Sequence, residues 1–351
     1  VQVHYETMTT PLPELIDEAV TASRLLRSAD EYEAVWVPLR KAAEAGAAAI
    51  DTGLEMLGSG DPVIRATGCD LLGTVFNGSD EPRRAVAAAL VELAGRESDP
   101  DVLWSVAGAL HFASDPIAIP ILIGLAAHPD SNVRFQTAHA LTSAMADHPN
   151  DKGVEALLRL TADRDPEVRN WATFGLGRQM EIDGPEIRDA LWARVGDSYE
   201  DVRVEGICGL ARRHDRRALP LVADLLAQDD QYVWVFAAAT WLADESLLPL
   251  LERYERDTIT EPAIIQCDPA RRAVRDEICA QVLRLVQAAL DERRPRLTAS
   301  LSCDVWDYES PILNIDPTDG GKVWYVVGVL EMCAADPDAA ARRIIDQLPA
   351  P

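Results

Sequence analysis

Lysine is nearly missing from this chain. Only Lys41, Lys152 and Lys322 occur among 33 basic residues, which stand against 58 acidic ones. The net charge of −25 repels a phosphate backbone and argues against nucleic-acid binding or docking on anionic membranes. It favours a basic partner, although solubility alone is its plainer use. No stretch approaches the ~18 uninterrupted apolar residues of a membrane span. Val1 to Leu15 lacks a basic segment followed by an apolar one, so no signal peptide is expected. The first methionine is Met8, and residues 1–7 read as an extended start. The six cysteines, at 69, 208, 267, 279, 303 and 333, form no Cys-x-x-Cys pair and no zinc spacing with histidine. They read as free core thiols of a cytoplasmic protein. Abundant alanine beside scarce lysine resembles high-GC bacterial coding.

What is present is a repeat. An acidic turn, a Val or Ile often followed by Arg, and a Leu eight positions on recur along the chain. The copies are Asp61-Pro62-Val63-Ile64-Arg65 with Leu72, Asp99-Pro100-Asp101-Val102-Leu103 with Leu110, and Asp130-Ser131-Asn132-Val133-Arg134 with Leu141. Then come Asp165-Pro166-Glu167-Val168-Arg169 with Leu176, Glu200-Asp201-Val202-Arg203 with Leu210, and Asp229-Asp230-Gln231-Tyr232-Val233 with Trp241 in the Leu place. The anchors at 64, 102, 133, 168, 202 and 233 are spaced 38, 31, 35, 34 and 31 residues apart. Asp-Pro supplies an N-cap and a first-turn proline. Anchor, fourth and eighth residues share one face of a helix. Small residues beside them (Gly68, Ala138, Ala172, Gly209) admit a close neighbour. A second apolar helix precedes each later anchor, at 82–95, 116–127, 152–162, 185–195 and 217–227, with one more at 246–256. The unit is a helix–turn–helix of about 34 residues, stacked in an array.

The Asp-Pro-x-Val-Arg turns with their downstream Leu and Gly, as in Asp165 to Arg169 with Leu176-Gly177, resemble the HEAT-repeat family. The closest form is the short type known from phycobilisome-lyase HEAT-like repeats. The resemblance spans about 60–245 and implies an all-α, right-handed α-solenoid of HEAT-like helix pairs. It also implies that turn acids and helix arginines bridge neighbouring repeats. Arg65, Arg134, Arg169 and Arg203 match, whereas Leu103 and Trp234 depart, so a continuous ladder is not expected. Residues 14–58 read as a divergent first pair and 268–292 as a last long helix.

The tail differs. Leu297, Ala299, Leu301 and Cys303 alternate with polar residues at a strand period. Pro311 to Ile315 follows, and then the turn Asp316-Pro-Thr-Asp-Gly-Gly321. Val323 to Leu330 reads as a second hairpin strand, or alternatively, over 323–334, as a further helix. Asp336-Pro337 starts a final helix. The organisation is therefore an N-terminal extension (1–13), a solenoid (14–292) and a C-terminal capping segment (293–351).

Reactive constellations are missing. There is no nucleophile elbow, no Walker loop, no His-Glu-x-x-His. Gly320-Gly321-Lys322 lacks the upstream glycine of a phosphate loop. No histidine precedes a glutamate, which removes the His-Glu pairs of di-iron HEAT-like hydroxylases. The six histidines show no ligand spacing, and His128 and His148 read as loop residues. Asp163, Asp165 and Glu167 share a loop that a hard cation would suit, but they read as cap and turn residues. No enzyme activity, cofactor or metal is expected.

The notable residues are aromatic and basic. Eight tryptophans occur, and Trp104, Trp171 and Trp234 fall near their anchors. Positions three, six and ten after an anchor flank the core stripe. In successive repeats these are Gln136, His139, Ser143; Trp171, Phe174, Arg178; and Glu205, Cys208, Arg212. Trp171, Phe174 and Arg178 have the composition of an interface hot spot, while packing between repeats is the plainer reading of Trp171. The knot Arg212, Arg213, His214, Arg216, Arg217 is expected in an exposed loop, as helix-end cations or as an anion contact through Arg213, Arg216 and Arg217. Arg271, Arg272 and Arg275 form a smaller cluster. The sequence therefore points to a protein–protein interaction scaffold, in one version an inhibitor of a basic protein. Two further readings come with the HEAT-like resemblance, a tetrapyrrole lyase or chaperone and a DNA glycosylase. The acid excess opposes the glycosylase.

Overall fold

The computed structural model of the chain describes residues 10–25, 32–76, 83–146, 149–228, 232–304, 310–316 and 323–348. His148, Asp229-Asp230, Trp306, Gly320-Gly321-Lys322 and the start at Met8 lie outside the described residues. Two compact units result, Val1–Gly206 and Ile207–Pro351.

The first unit is built from antiparallel helix pairs. These are α1 (Leu12–Leu25) with α2 (Tyr32–Ala43), α3 (Ala47–Met56) with α4 (Pro62–Phe76), and α5 (Arg83–Ala94) with α6 (Pro100–Ala113). They continue as α7 (Ile119–Leu125) with α8 (Ser131–Ala144) and α9 (Asp151–Leu160) with α10 (Pro166–Phe174). Then follow α11 (Pro185–Arg194) and α12 (Glu200–Arg212), the latter running across the boundary between units. The second helices pack in sequence, α2 on α4, α4 on α6, α6 on α8 and α8 on α10. This is the all-α, HEAT-like solenoid of helix pairs that the repeat implies.

Local chemistry explains the pairs. Asp99 caps α6 by accepting from the N–H groups of Asp101 and Val102, Asp130 caps α8 through Asn132 and Val133, and Asp165 caps α10 through Glu167. The anchors Val102, Val133, Val168 and Val202 and the eighth residues Leu72, Leu110, Leu141, Leu176 and Leu210 are all fully buried. Gly68 lets α3 and α4 touch, since a Cβ there would lie 2.7 Å from the Met56 Cβ.

Two expectations about this unit change. Residues 14–58 form three helices rather than one pair, because Gly46 turns the chain at φ +57°, a conformation that favours glycine. Trp36 thereby comes to stand on a second helix. Beyond Phe174 the chain enters a π-helical turn, Gly175–Gln179, closed by Met180 N–H donating to Gly175 O at 3.0 Å. At Gly175 a Cβ would collide with Thr142 Oγ1.

The second unit continues with α13 (Leu219–Leu226), α14 (Val233–Leu242), α15 (Leu248–Leu251), α16 (Thr260–Cys267) and α17 (Pro269–Arg293). Strands β1 (Thr298–Asp304), β2 (Ser310–Asp316) and β3 (Val323–Tyr325) form one antiparallel sheet in that order. Leu301 faces Leu313 and Ala299 faces Ile315 across β1 and β2. Helices α18 (Val326–Met332) and α19 (Pro337–Asp346) close the chain. The sheet packs its Leu313, Ile315 and Trp324 against Cys279, Val282, Val286 and Leu290 of α17, with α18 and α19 in the same core.

Here the expected hairpin strand from Val323 ends at Tyr325. Val326, Val329 and Leu330 then bury at helical spacing, and Trp324 is pinned by its Nε1–H donating to Gln347 at 2.8 Å. The sixth anchor also shifts. Tyr232 takes the N-cap place of α14, so Val235 is buried where Val233 is only partly so, and Trp234 is left exposed. Among the described residues no helix is long and apolar enough to cross a membrane.

Candidate interaction surface

The repeat arginines are engaged in binding the array to itself. Arg65 pairs with Glu97 at 2.7 Å, Arg134 with Asp163 at 2.7 Å and Arg169 with Asp197 at 2.7 Å. Each reaches from a second helix to the turn of the next pair. Each also donates to a carbonyl six residues back in its own turn, Ser59, His128 and Asp163 respectively. Arg203 does the same to Asp197 O. Arg272 repeats the bond to Gln266 O, behind the Asp268 cap of α17. That marks a further copy of the turn which the repeat count missed.

Burial pushes Glu97 and Asp163 up, but the arginine bonds and turn N–H groups outweigh it and hold both carboxyls below the usual range. Arg169 does the same for Asp197. The break at Leu103 has a matching break in its partner. The place that is Glu97, Asp163 or Asp197 in other turns is His128, whose Nδ1 accepts from Asp130 N–H at 3.2 Å. Arginine and acid are thus replaced together.

The residues expected at positions three, six and ten come together in part. His111 and His139 stack with centroids 3.7 Å apart, and His139 tilts onto Trp171 at 4.4 Å. Trp171 meets Phe135 at 5.8 Å and Phe174 at 5.4 Å, both edge-on. Phe112 meets His111 at 4.9 Å. The Ser143 hydroxyl lies 2.6 Å from His111 Nδ1. A string of rings therefore crosses α6, α8 and α10. Burial, and for His139 also the neighbouring His111, lowers both imidazole pKa values, His139 to about 4. Both rings are then neutral at pH 7 and the string is uncharged.

Arg178 ends the string, but it is not a surface cation. Its guanidinium lies 4.6 Å from the Phe174 ring centroid and forms two 2.6 Å bonds to Glu205. Arg178 is 7% exposed. Arg178 therefore departs from the open contact of an interface hot spot, and its removal would leave Glu205 buried and unpaired.

The basic knot is corrected in the same way. Arg212 is buried, and Arg213, 8% exposed, donates to Gly209 O at 2.9 Å. Arg212 is the last residue of α12 and the buried Arg213 begins the turn after it, rather than an exposed loop. His214 takes the left-handed cap place at φ 51°, with Nδ1 2.7 Å from Trp241 O. Arg216 and Arg217 are exposed and pair with Asp244 and Asp215. Within the loop suited to a cation, Asp163 holds Arg134, Asp165 caps α10, and Glu167 accepts from the Tyr199 hydroxyl.

Gln136 belongs to a feature that the sequence did not disclose. A cleft of two lobes, each about 380 Å³, opens along α2, α4, α6 and α8. Both lobes share Trp36, Asp70 and Trp104. One continues past Asp99, Asp101 and Asn132, the other past Gly108, Phe112 and Gln136. Asp70 is itself the sixth residue after its anchor, and Phe112 the tenth after its own. The face was thus legible in its spacing, and the missed signal was to read it one repeat earlier.

The HEAT-repeat family model matches residues 50–142 and 154–243, just over half of the sequence, and the chain belongs to the HEAT-repeat family. It is a helical repeat scaffold. Protein YibA of Escherichia coli K12 is 37% identical over 123 residues, which are 35% of this chain and 42% of YibA. YibA of Escherichia coli O157:H7 matches to the same extent. The chain thus spans less than half the length of these curated relatives. The X-ray structure of Escherichia coli YibA shares the fold with a TM-score of 0.52 at 24% identity, over 75% of this chain and 98% of that one.

Proposed function

We propose that this protein is a non-enzymatic interaction scaffold that takes up a basic protein partner on its row of second helices. The observation that carries the reading is the continuous run of rings and cleft on that row, from Trp36 to Phe174, in a chain of net charge −25. Half-buried aromatic side chains supply contact area at small entropic cost. The acid excess speeds capture of a basic partner and discourages acidic ones. In its narrower form the proposal is an inhibitor that covers a basic protein. The bacterial relatives and the codon-like composition support a bacterial source, and buried thiols suit a cytoplasmic setting.

The test is capture from bacterial cytosol on the immobilised full chain, with a Phe112→Asp/Gln136→Arg variant and an unrelated acidic protein as controls. We expect salt-sensitive capture of basic proteins that the variant loses. Equal capture by the variant, or by the unrelated acidic protein, would refute the reading.

A further inference from the structure

Asp70, half-buried in the cleft, is an exception among the acids of the repeat. Glu97, Asp163, Asp197 and Glu205 each have an arginine. Among the described residues no arginine or lysine forms an ion pair with Asp70, and its partner is the hydroxyl of Ser105. Burial raises its pKa to about 7, the Ser105 bond opposing only in part. A carboxylate in such a place gains from any cation brought to it.

The surroundings select the kind of cation. Trp36 from α2 and Trp104 from α6 wall both lobes, and an indole face attracts a cationic side chain. Asp99 and Asp101 line one lobe, which has no basic residue among the described ones. Arg40 lines the other and is bonded to Glu33 at 2.6 Å. Among the described residues no three acids, histidines or thiols are grouped to hold a metal ion, whereas a carboxylate beside two indoles suits a flat guanidinium. That group can stack on a ring and offer two parallel N–H groups to a carboxylate.

We infer that the Trp36–Asp70–Trp104 cleft is the pocket for an arginine side chain of a basic partner segment. The inference rests on the scaffold reading above and adds to it a seat and a chemistry. The second lobe runs on past Gly108 to Phe112 and Gln136, along which the segment can continue.

The experiment titrates the full chain into a fluorescent oligo-arginine peptide at about 0.15 M salt, where long-range attraction is screened. Oligo-lysine and oligo-glutamate peptides are run beside it. Asp70→Asn and Trp104→Leu should each weaken oligo-arginine binding at least about tenfold, the scale of a lost charge-assisted bond or cation–π contact. Asp201→Asn removes an exposed acid elsewhere and should leave binding within about twofold. Trp192→Leu, at a ring 41% exposed, should do the same. Asp70→Asn keeps the shape of the side chain, so it remains decisive should Trp104→Leu misfold. Wild-type binding that Asp70→Asn does not weaken overturns the pocket and leaves the basic-partner scaffold standing. Oligo-arginine bound no better than oligo-glutamate also overturns the pocket, and the scaffold reading is then decided by its own capture experiment.

Discussion

Replacing Asp70 by asparagine should make the protein more stable, and only above acid pH. The folded carboxyl titrates at about 7 against an ordinary value of 3.8. Between those values the native state holds a proton that the unfolded chain has released. Stability from this group is therefore complete below 3.8 and is lost as pH rises through 7. A shift of three units corresponds to about 4 kcal/mol. Asp70 is only half-buried and the cleft admits water, so a realistic share is about 1–2 kcal/mol. The groups facing it are Ser105, Asp99 and Asp101 from α6 and Arg40 from α2. Burial sets the penalty and the Ser105 hydroxyl offsets part of it. Urea unfolding of wild type and Asp70→Asn, followed by circular dichroism from pH 4 to pH 8, reads the effect. The variant's advantage should open between about pH 4 and 7 and stay level above. An advantage that is absent at pH 8, or equal at pH 4 and pH 8, would refute the burial argument.

Three further outcomes are expected. Arg134→Ala leaves Asp163 buried without its partner and should cost about 3–5 kcal/mol in urea unfolding; a loss under about 1 kcal/mol would show the rung to be ornamental. Leu176→Ala empties a fully buried place and should cost about 2–5 kcal/mol, seen as early melting of the neighbouring repeats. Arg178→Ala should lower the melting temperature, since Glu205 is already pushed up by burial and loses the arginine that opposes it; an unchanged melting temperature would return Arg178 to the list of open surface contacts.

The helix pairs were legible because their signals are local. An Asp-Pro cap, an anchor three residues on and a Leu eight beyond the anchor are all set by one helix and its own turn. The alternation of 297–303 was legible for the same reason. What failed was set at a distance. Whether Arg178 is open or closed depends on Glu205, 27 residues away. Arg212 and Arg213 look like a charged loop in sequence, and burial of the helix end decides otherwise. The segment from Val323 is rich in β-branched and aromatic residues, yet after Tyr325 the core of α17 and α19 asks for helical spacing. The cleft was hidden because Trp36, Asp70 and Trp104 come from three helices, and the break at Gly46 was needed to place the first.

The departures from the repeat rule are not scattered. In the first unit α6 is the second helix that has Leu103 in the arginine place, opposite His128 in the acid place. The same helix brings Trp104 and Phe112 to the cleft and His111 to the ring string. Its neighbour α4 carries Asp70, an acid whose burial costs stability. The π-helical turn that follows α10 begins right after Phe174 and contains Arg178. Sequences that specify one fold agree with their local rules except where function asks for something else. By that measure the irregular helices, and not the well-formed rungs at Arg134 and Arg169, are where the proposed partner would sit. Restoring the rule at α6 by Leu103→Arg with His128→Asp should therefore be tolerated by the fold, as the other rungs are. Because the irregularity is read as serving the partner, the restored rung should weaken partner capture, and capture equal to wild type would refute that reading.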